Sequence, residues 1–119
     1  MPEPRWLKVL ISDPARRTIH RWAYRVRKDL GDVLTKLQKG EPVGMPDVRP
    51  MPSVARGVSE IRIPTTSGSY RVFYVIEGSY GIGIFHAFVK KTQRTPKREI
   101  LTAKKRLNSF LQELERLSL

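Results

Sequence analysis

Between Val58 and Val89 the chain offers three strand-forming runs with only short turns between them: VSEIRI (58–63), YRVFYVI (70–76) and IGIFHAFV (82–89). Each is rich in β-branched or aromatic residues. Pro64 with TTSG (65–68) closes the first, and EGSYG (77–81) turns the chain after the second. Parallel neighbours need a crossover of about a dozen residues or more. Turns this short therefore predict an antiparallel meander, and everything else in the chain must pack around it.

What precedes the meander reads as helix. Ile19, Trp22, Ala23, Val26, Leu30, Val33, Leu34 and Leu37 recur at three- and four-residue steps across positions 14–39, the signature of one apolar helix face. Asp13 before Pro14 suits a helix start and Gly40 suits its stop. DLGD (29–32) offers a place to split this region into a hairpin, so one helix and two helices both fit. RWLKVLI (5–11) reads as a short first strand. EPVGMPDVRPMPS (41–53), with four prolines, reads as an irregular link. After the meander, Thr95-Pro96 opens a last helix with Ile100, Ala103, Leu107, Phe110, Leu111, Leu114 and Leu117 as its apolar stripe. The predicted class is α+β: N-terminal helices packed on a small, mainly antiparallel sheet, with a C-terminal helix. A length of 119 residues fits one domain spanning 1–119.

Composition narrows the function classes. A net charge of +12 points to a polyanionic partner. Without cysteine there is no disulfide framework and no thiol chemistry. MPEPRWLKVLISDPARR lacks the long apolar segment of a secretory signal, so the expectation is a soluble, cytoplasmic protein. His20 and His86 lie in different elements with no carboxylate cluster beside either, so no metal and no other cofactor is expected. GSYGIG (78–83) reads as a hairpin turn rather than a phosphate-binding loop.

Strand alternation then picks out the polar residues that sit badly. Arg71 lies in a strand apolar on both faces, and burying a guanidinium unpaired is prohibitive. It must reach solvent, a carboxylate, for which Glu60 is the candidate across the sheet, or a ligand anion such as phosphate. Alternation puts Glu60 with Arg62, and Ile82, Ile84, His86 and Phe88 on one face. One register brings Arg62, Arg71 and His86 onto a single sheet surface, with the helices under the other. Lys90, Lys91, Arg94 and Lys97 crowd the exit of the last strand, where they would position a phosphate backbone. Lys104, Lys105 and Arg106 read as a solvated helix face. This inventory suits metal-free RNA cleavage. RNA carries its own nucleophile, the 2′-hydroxyl, and a charge-stabilising contact is worth about 10²–10³ in rate.

Three segments, SEIRI (59–63), YRVFYVIEG (70–78) and HAFVKKTQRTPKREI (86–100), resemble the phage-derived, HigB-like branch of the RelE/ParE toxin superfamily. The resemblance covers residues 45 to 110 well; the first 44 agree only in pattern. It implies two helices on one side of a small sheet and a cleft on the other. It further implies the toxin of a type II toxin–antitoxin pair: a ribosome-dependent, metal-independent mRNA endonuclease. Arg62 and Arg71 would grip the scissile phosphate and His86 would be the acid or base, with Tyr74 ranked below them. Lys90, Lys91, Arg94 and Lys97 would hold the RNA. Residues 107–119 lack the catalytic Tyr or His that some relatives place near the C-terminus, so either His86 serves or catalysis is mainly electrostatic. The implied partners are ribosome, mRNA and an antitoxin, commonly a helix-turn-helix DNA-binding protein. The ParE type, which inhibits DNA gyrase and cuts nothing, and a basic RNA-binding phage accessory protein are the alternatives.

Overall fold

The computed structural model describes residues 6–78, 81–92 and 94–117. The described elements run β1 (Val9–Ile11), α1 (Asp13–His20), α2 (Tyr24–Gln38), β2 (Val48–Pro50), β3 (Val58–Thr65), β4 (Gly68–Glu77), β5 (Gly81–Lys90) and α3 (Lys97–Leu117). The strands form one sheet in the order β1-β5-β4-β3-β2. β1 runs parallel to β5, and the remaining pairs are antiparallel. This is the α+β arrangement expected, with the meander at its centre.

The helical region is two helices, and the break falls at Arg21–Ala23 rather than at 29–32. Trp22 causes it. Its ring is buried edge-on against Tyr70, with centroids 4.8 Å apart, and Ala23 is extended at φ −57° and ψ 147°. Ser12, not Asp13, caps α1 by accepting from the Ala15 amide. α2 ends at Gln38, and Gly40 then takes φ 78°.

The first strand is shorter than expected, Val9–Ile11, and Arg5 lies outside the described residues. The proline-rich link, expected to be irregular, contains β2. Its Pro50 lies at the strand's end on the sheet edge, where a missing amide hydrogen leaves no ladder bond broken. Pro64 does not end β3, which continues to Thr65. β2 reaches β3 only at Ser59, Glu60 and Ile61, so the side of β3 facing β2's position is already open by Pro64. Gly81 opens β5 at φ 99°, and a Cβ there would run into the Lys8 backbone, so only glycine fits this junction.

A bulge decides the site. Phe73 pairs with His86 but Tyr74 pairs with Ile84, so Phe85 is an extra residue in β5. The expected alternation therefore fails midway. Ile82 and Ile84 face α1 and α2 together with Ile61, Val72 and Tyr74. His86 and Phe88 face the other way, on the side of Phe73 and Phe85. That second face is not bare. α3 covers part of it through Ala103, Leu107, Phe110 and Leu114, packed with Phe73, Val75 and Phe85. Fully burying a side chain of this size contributes about 1.5–3 kcal/mol, which fixes α3 to the sheet.

Candidate anion-binding site on the sheet

Two cross-strand rows build the site beyond the edge of α3. In the first, Arg49, Glu60, Phe73 and His86 stand side by side on β2, β3, β4 and β5; in the second, Arg62, Arg71 and Phe88 do. Residues directly opposite on one face lie within side-chain reach. Glu60 is fully buried, and its Oε1 accepts from Arg71 Nη1 at 2.6 Å. Arg49 Nε stands 3.3 Å and Arg62 Nε 3.9 Å from the same oxygen. Ser69 Oγ accepts from Arg71 Nε at 2.8 Å. Glu60 Oε2 has no hydrogen-bond partner among the described residues.

Charge in this cluster is unbalanced. Arg71 and Lys90 are buried, while Arg49 and Arg62 keep side-chain exposures of 34% and 28%. Burial lowers the Arg71 pKa, Glu60 opposes this by charge and hydrogen bond, and Arg62 and Arg49 add to the lowering. Lys90 is lowered likewise, first by burial and then by the charge of Arg71, against the pull of Glu60. Four cations thus converge on one carboxylate, two deep and two at the rim. An arrangement that destabilises its own positive charges would be relieved by an anion, and guanidinium forks suit phosphate oxygens.

His86 has a different setting. It is buried, stacked on Phe88 at 5.4 Å and close to Phe73 at 5.8 Å. Arg106 Nη1 lies 2.8 Å from Nδ1, and Glu99 Oε1 lies 3.1 Å from Nε2. A guanidinium can only donate, so Nδ1 must accept and Nε2–H must donate to Glu99. Burial lowers the His86 pKa most; the Glu99 hydrogen bond and charge raise it, and the Arg106 charge lowers it. The folded pKa therefore sits below the unfolded one. This stabilising contribution is complete above the unfolded pKa of about 6.5 and is lost as pH falls toward the folded value. Urea unfolding between pH 7.5 and 5 should show the parent losing stability by up to about 1.4 kcal/mol per pH unit and His86→Gln a flatter profile. Equal slopes would refute this assignment of the ring.

The structure thus gathers Arg62, Arg71 and Lys90 around Glu60, and places His86 beside them in the aromatic wall. Lys91, Arg94 and Lys97 are exposed at the β5–α3 elbow, at the site's outer margin. Tyr74 faces α1 and α2 and belongs to the core; burial raises its pKa, and a Ser59 hydrogen bond works against this. Three participants were missed. Arg49 was hidden in the proline-rich link. Arg106 does not belong to a solvated face, because it holds His86, and Glu99 was passed over. The spacing of Glu99, Ala103, Arg106 and Phe110 by four, three and four carries that signal: all four lie on one helix stripe. Among the described residues no group of three or more His, Asp or Glu side chains is placed to hold a metal ion, and no helix is long and apolar enough to cross a membrane.

Comparison with known proteins places this geometry in context. The family described as phage derived protein Gp49-like matches residues 17–108. No curated protein matches the sequence. Among solved structures, a mutant of the Escherichia coli toxin RelE in the free state is similar with a TM-score of 0.50. Identity is 15%, over 82% of this chain and 96% of that one. The toxin–antitoxin complex RelBE2 from Mycobacterium tuberculosis contributes a chain with a TM-score of 0.50 and 19% identity, covering 71% of this chain and 99% of that one. At such identities the likeness is one of fold. The matched segment runs from α1 through the cationic cluster and into α3, and the chain accordingly belongs to the phage derived protein Gp49-like family, on a RelE-like fold.

Proposed function

We propose that this protein is the toxin of a type II toxin–antitoxin pair and cuts mRNA on the ribosome without a metal. The observation that carries the reading is the buried, unbalanced cluster of Arg49, Arg62, Arg71 and Lys90 around Glu60, on a fold shared with RelE toxins. The scissile phosphate enters between the rim arginines. The neighbouring 2′-hydroxyl gives up its proton to water and attacks phosphorus, forming the 2′,3′-cyclic phosphate as the bond to the 5′-oxygen breaks and that oxygen takes a proton back from water. Arg62 and Arg71 hold the phosphate oxygens, and Lys90 adds charge from below. Each such contact is worth about 10²–10³ where charge develops on the phosphorane. Lys91, Arg94 and Lys97 track the strand on either side.

His86, expected as the acid or base, has both ring nitrogens engaged by Glu99 and Arg106. This geometry favours a positioning role: the ring ties α3 to the sheet beside the phosphate site. Catalysis is then mainly electrostatic. The antitoxin would silence the protein by covering this cationic face with acidic or apolar groups. Pulse labelling after induced expression tests the reading against gyrase inhibition. Protein synthesis should fall first, with DNA synthesis following later. The reverse order would replace the endonuclease with a ParE-type activity.

A further inference from the structure

The cations of α1 and early α2 take no part in the cluster on the sheet. Arg16, Arg17, Arg21, Arg25, Arg27 and Lys28 lie between positions 16 and 28 with no acidic residue among them, and all six are exposed. Arg16 pairs with Asp13 and Lys28 with Asp32. Arg17, Arg21, Arg25 and Arg27 make no salt bridge among the described residues. A solvated helix face usually mixes signs at four-residue spacing, as Lys28 and Asp32 do. Asp13 with Arg17 and Arg25 with Asp29 share that spacing but close no salt bridge among the described residues, and like charges so close together weaken the helices that carry them.

Geometry adds a second observation. Val26 and Leu30 face the sheet, which sets Tyr24, Arg27, Lys28 and Gly31 on the outward stripe of α2. Tyr24 is 72% exposed. Outside α2's own backbone nothing lies within 4 Å of the position a Gly31 Cβ would take, so the stripe is open there. α1 and α2 pack on the sheet face carrying Ile61, Val72 and Ile84, whereas Glu60 and its cations occupy the opposite face. A strand held at the sheet cluster cannot also lie along these helices without rounding the sheet edge.

We infer that the α1–α2 elbow is a second nucleic-acid contact, gripping the phosphate backbone of a structured RNA duplex while a single strand is held on the far face. Single-strand binders interleave several aromatics with their cations so that successive bases can stack. The elbow has Tyr24 alone among many charges, the balance of a surface that reads backbone and shape. The assignment of RNA rests on the functional reading above; the existence of a polyanion surface does not.

The test is fluorescence anisotropy of the purified full chain with a labelled RNA duplex. The DNA duplex of the same sequence, single-stranded RNA and poly-glutamate serve as comparison probes. The variant Arg17→Gln/Arg21→Gln/Arg25→Gln/Arg27→Gln, checked for folding by circular dichroism, should lose at least ten-fold in duplex affinity at low salt. Its plot of log affinity against log salt should flatten by about 0.7–0.9 for each phosphate contact removed. Lys104→Gln/Lys105→Gln, exposed on α3 and outside both surfaces, should leave duplex affinity within two-fold. A folded four-fold variant that binds the duplex as the parent does overturns the inference. So does tighter binding of poly-glutamate, which would make the elbow a protein-docking surface. Equal affinity for the DNA duplex overturns the assignment of RNA. Duplex binding through the elbow without any mRNA cleavage would instead keep the inference and remove the endonuclease reading.

Discussion

Arg71→Ala is expected to lose toxicity and stability together. The guanidinium is 4% exposed and donates to a carboxylate with no exposure at all. Removing it takes that charged hydrogen bond from Glu60, at about 1.5–3 kcal/mol, while Arg49, Arg62 and Lys90 remain around the carboxylate. A companion separates the two effects. Glu60→Leu/Arg71→Met/Lys90→Met replaces the three buried ions with apolar groups of similar size, a change often neutral for buried ion pairs and triads. Arg49 and Arg62 remain part-exposed and can turn to water. Urea unfolding should show most of the stability restored while growth arrest stays absent. A stable triple variant that still arrests growth would show that Arg71 and Lys90 are structural ions and nothing more.

Glu60→Ala tests the same cluster from its acidic side. It leaves Arg71 and Lys90 buried without the carboxylate around which they converge, at a cost of about 3–5 kcal/mol. Here an added anion can replace what was removed. An anion that binds only the folded chain at 100 times its dissociation constant contributes about 2.7 kcal/mol. Phosphate or sulfate should therefore raise the melting temperature of Glu60→Ala well beyond chloride at matched ionic strength. The parent should gain less, because Glu60 already satisfies part of the cluster. Identical responses to phosphate and chloride in the variant would mean that the cations do not form a phosphate site.

The meander, the helical regions on either side of it and Glu60 as the candidate partner of Arg71 were legible in the sequence because each leaves a periodic or electrostatic trace. VSEIRI and YRVFYVI keep their phase from end to end, so Arg62 and Arg71 fell on one surface as read. The bulge left no such trace. In IGIFHAFV an extra apolar residue looks like its neighbours, and only pairing with β4 shows that Phe85 breaks the phase. β2 was invisible for a different reason. Prolines at positions 46, 50 and 52 argue against a strand, yet an edge strand of three residues needs few ladder bonds, and Arg49 reaches Glu60 through it. Arg106 was lost among Lys104 and Lys105 because charge type says nothing about direction. Its three-residue step from Ala103 places it on the inward flank, and that step was the information to use.

The most direct measurement maps mRNA ends by primer extension in a cell-free translation reaction containing the purified protein, beside the same mRNA without ribosomes. The account predicts cuts within translated codons in the first sample and none in the second, with Arg62→Gln strongly impaired and still folded. Intact mRNA in both samples, from protein shown to be folded, would contradict it.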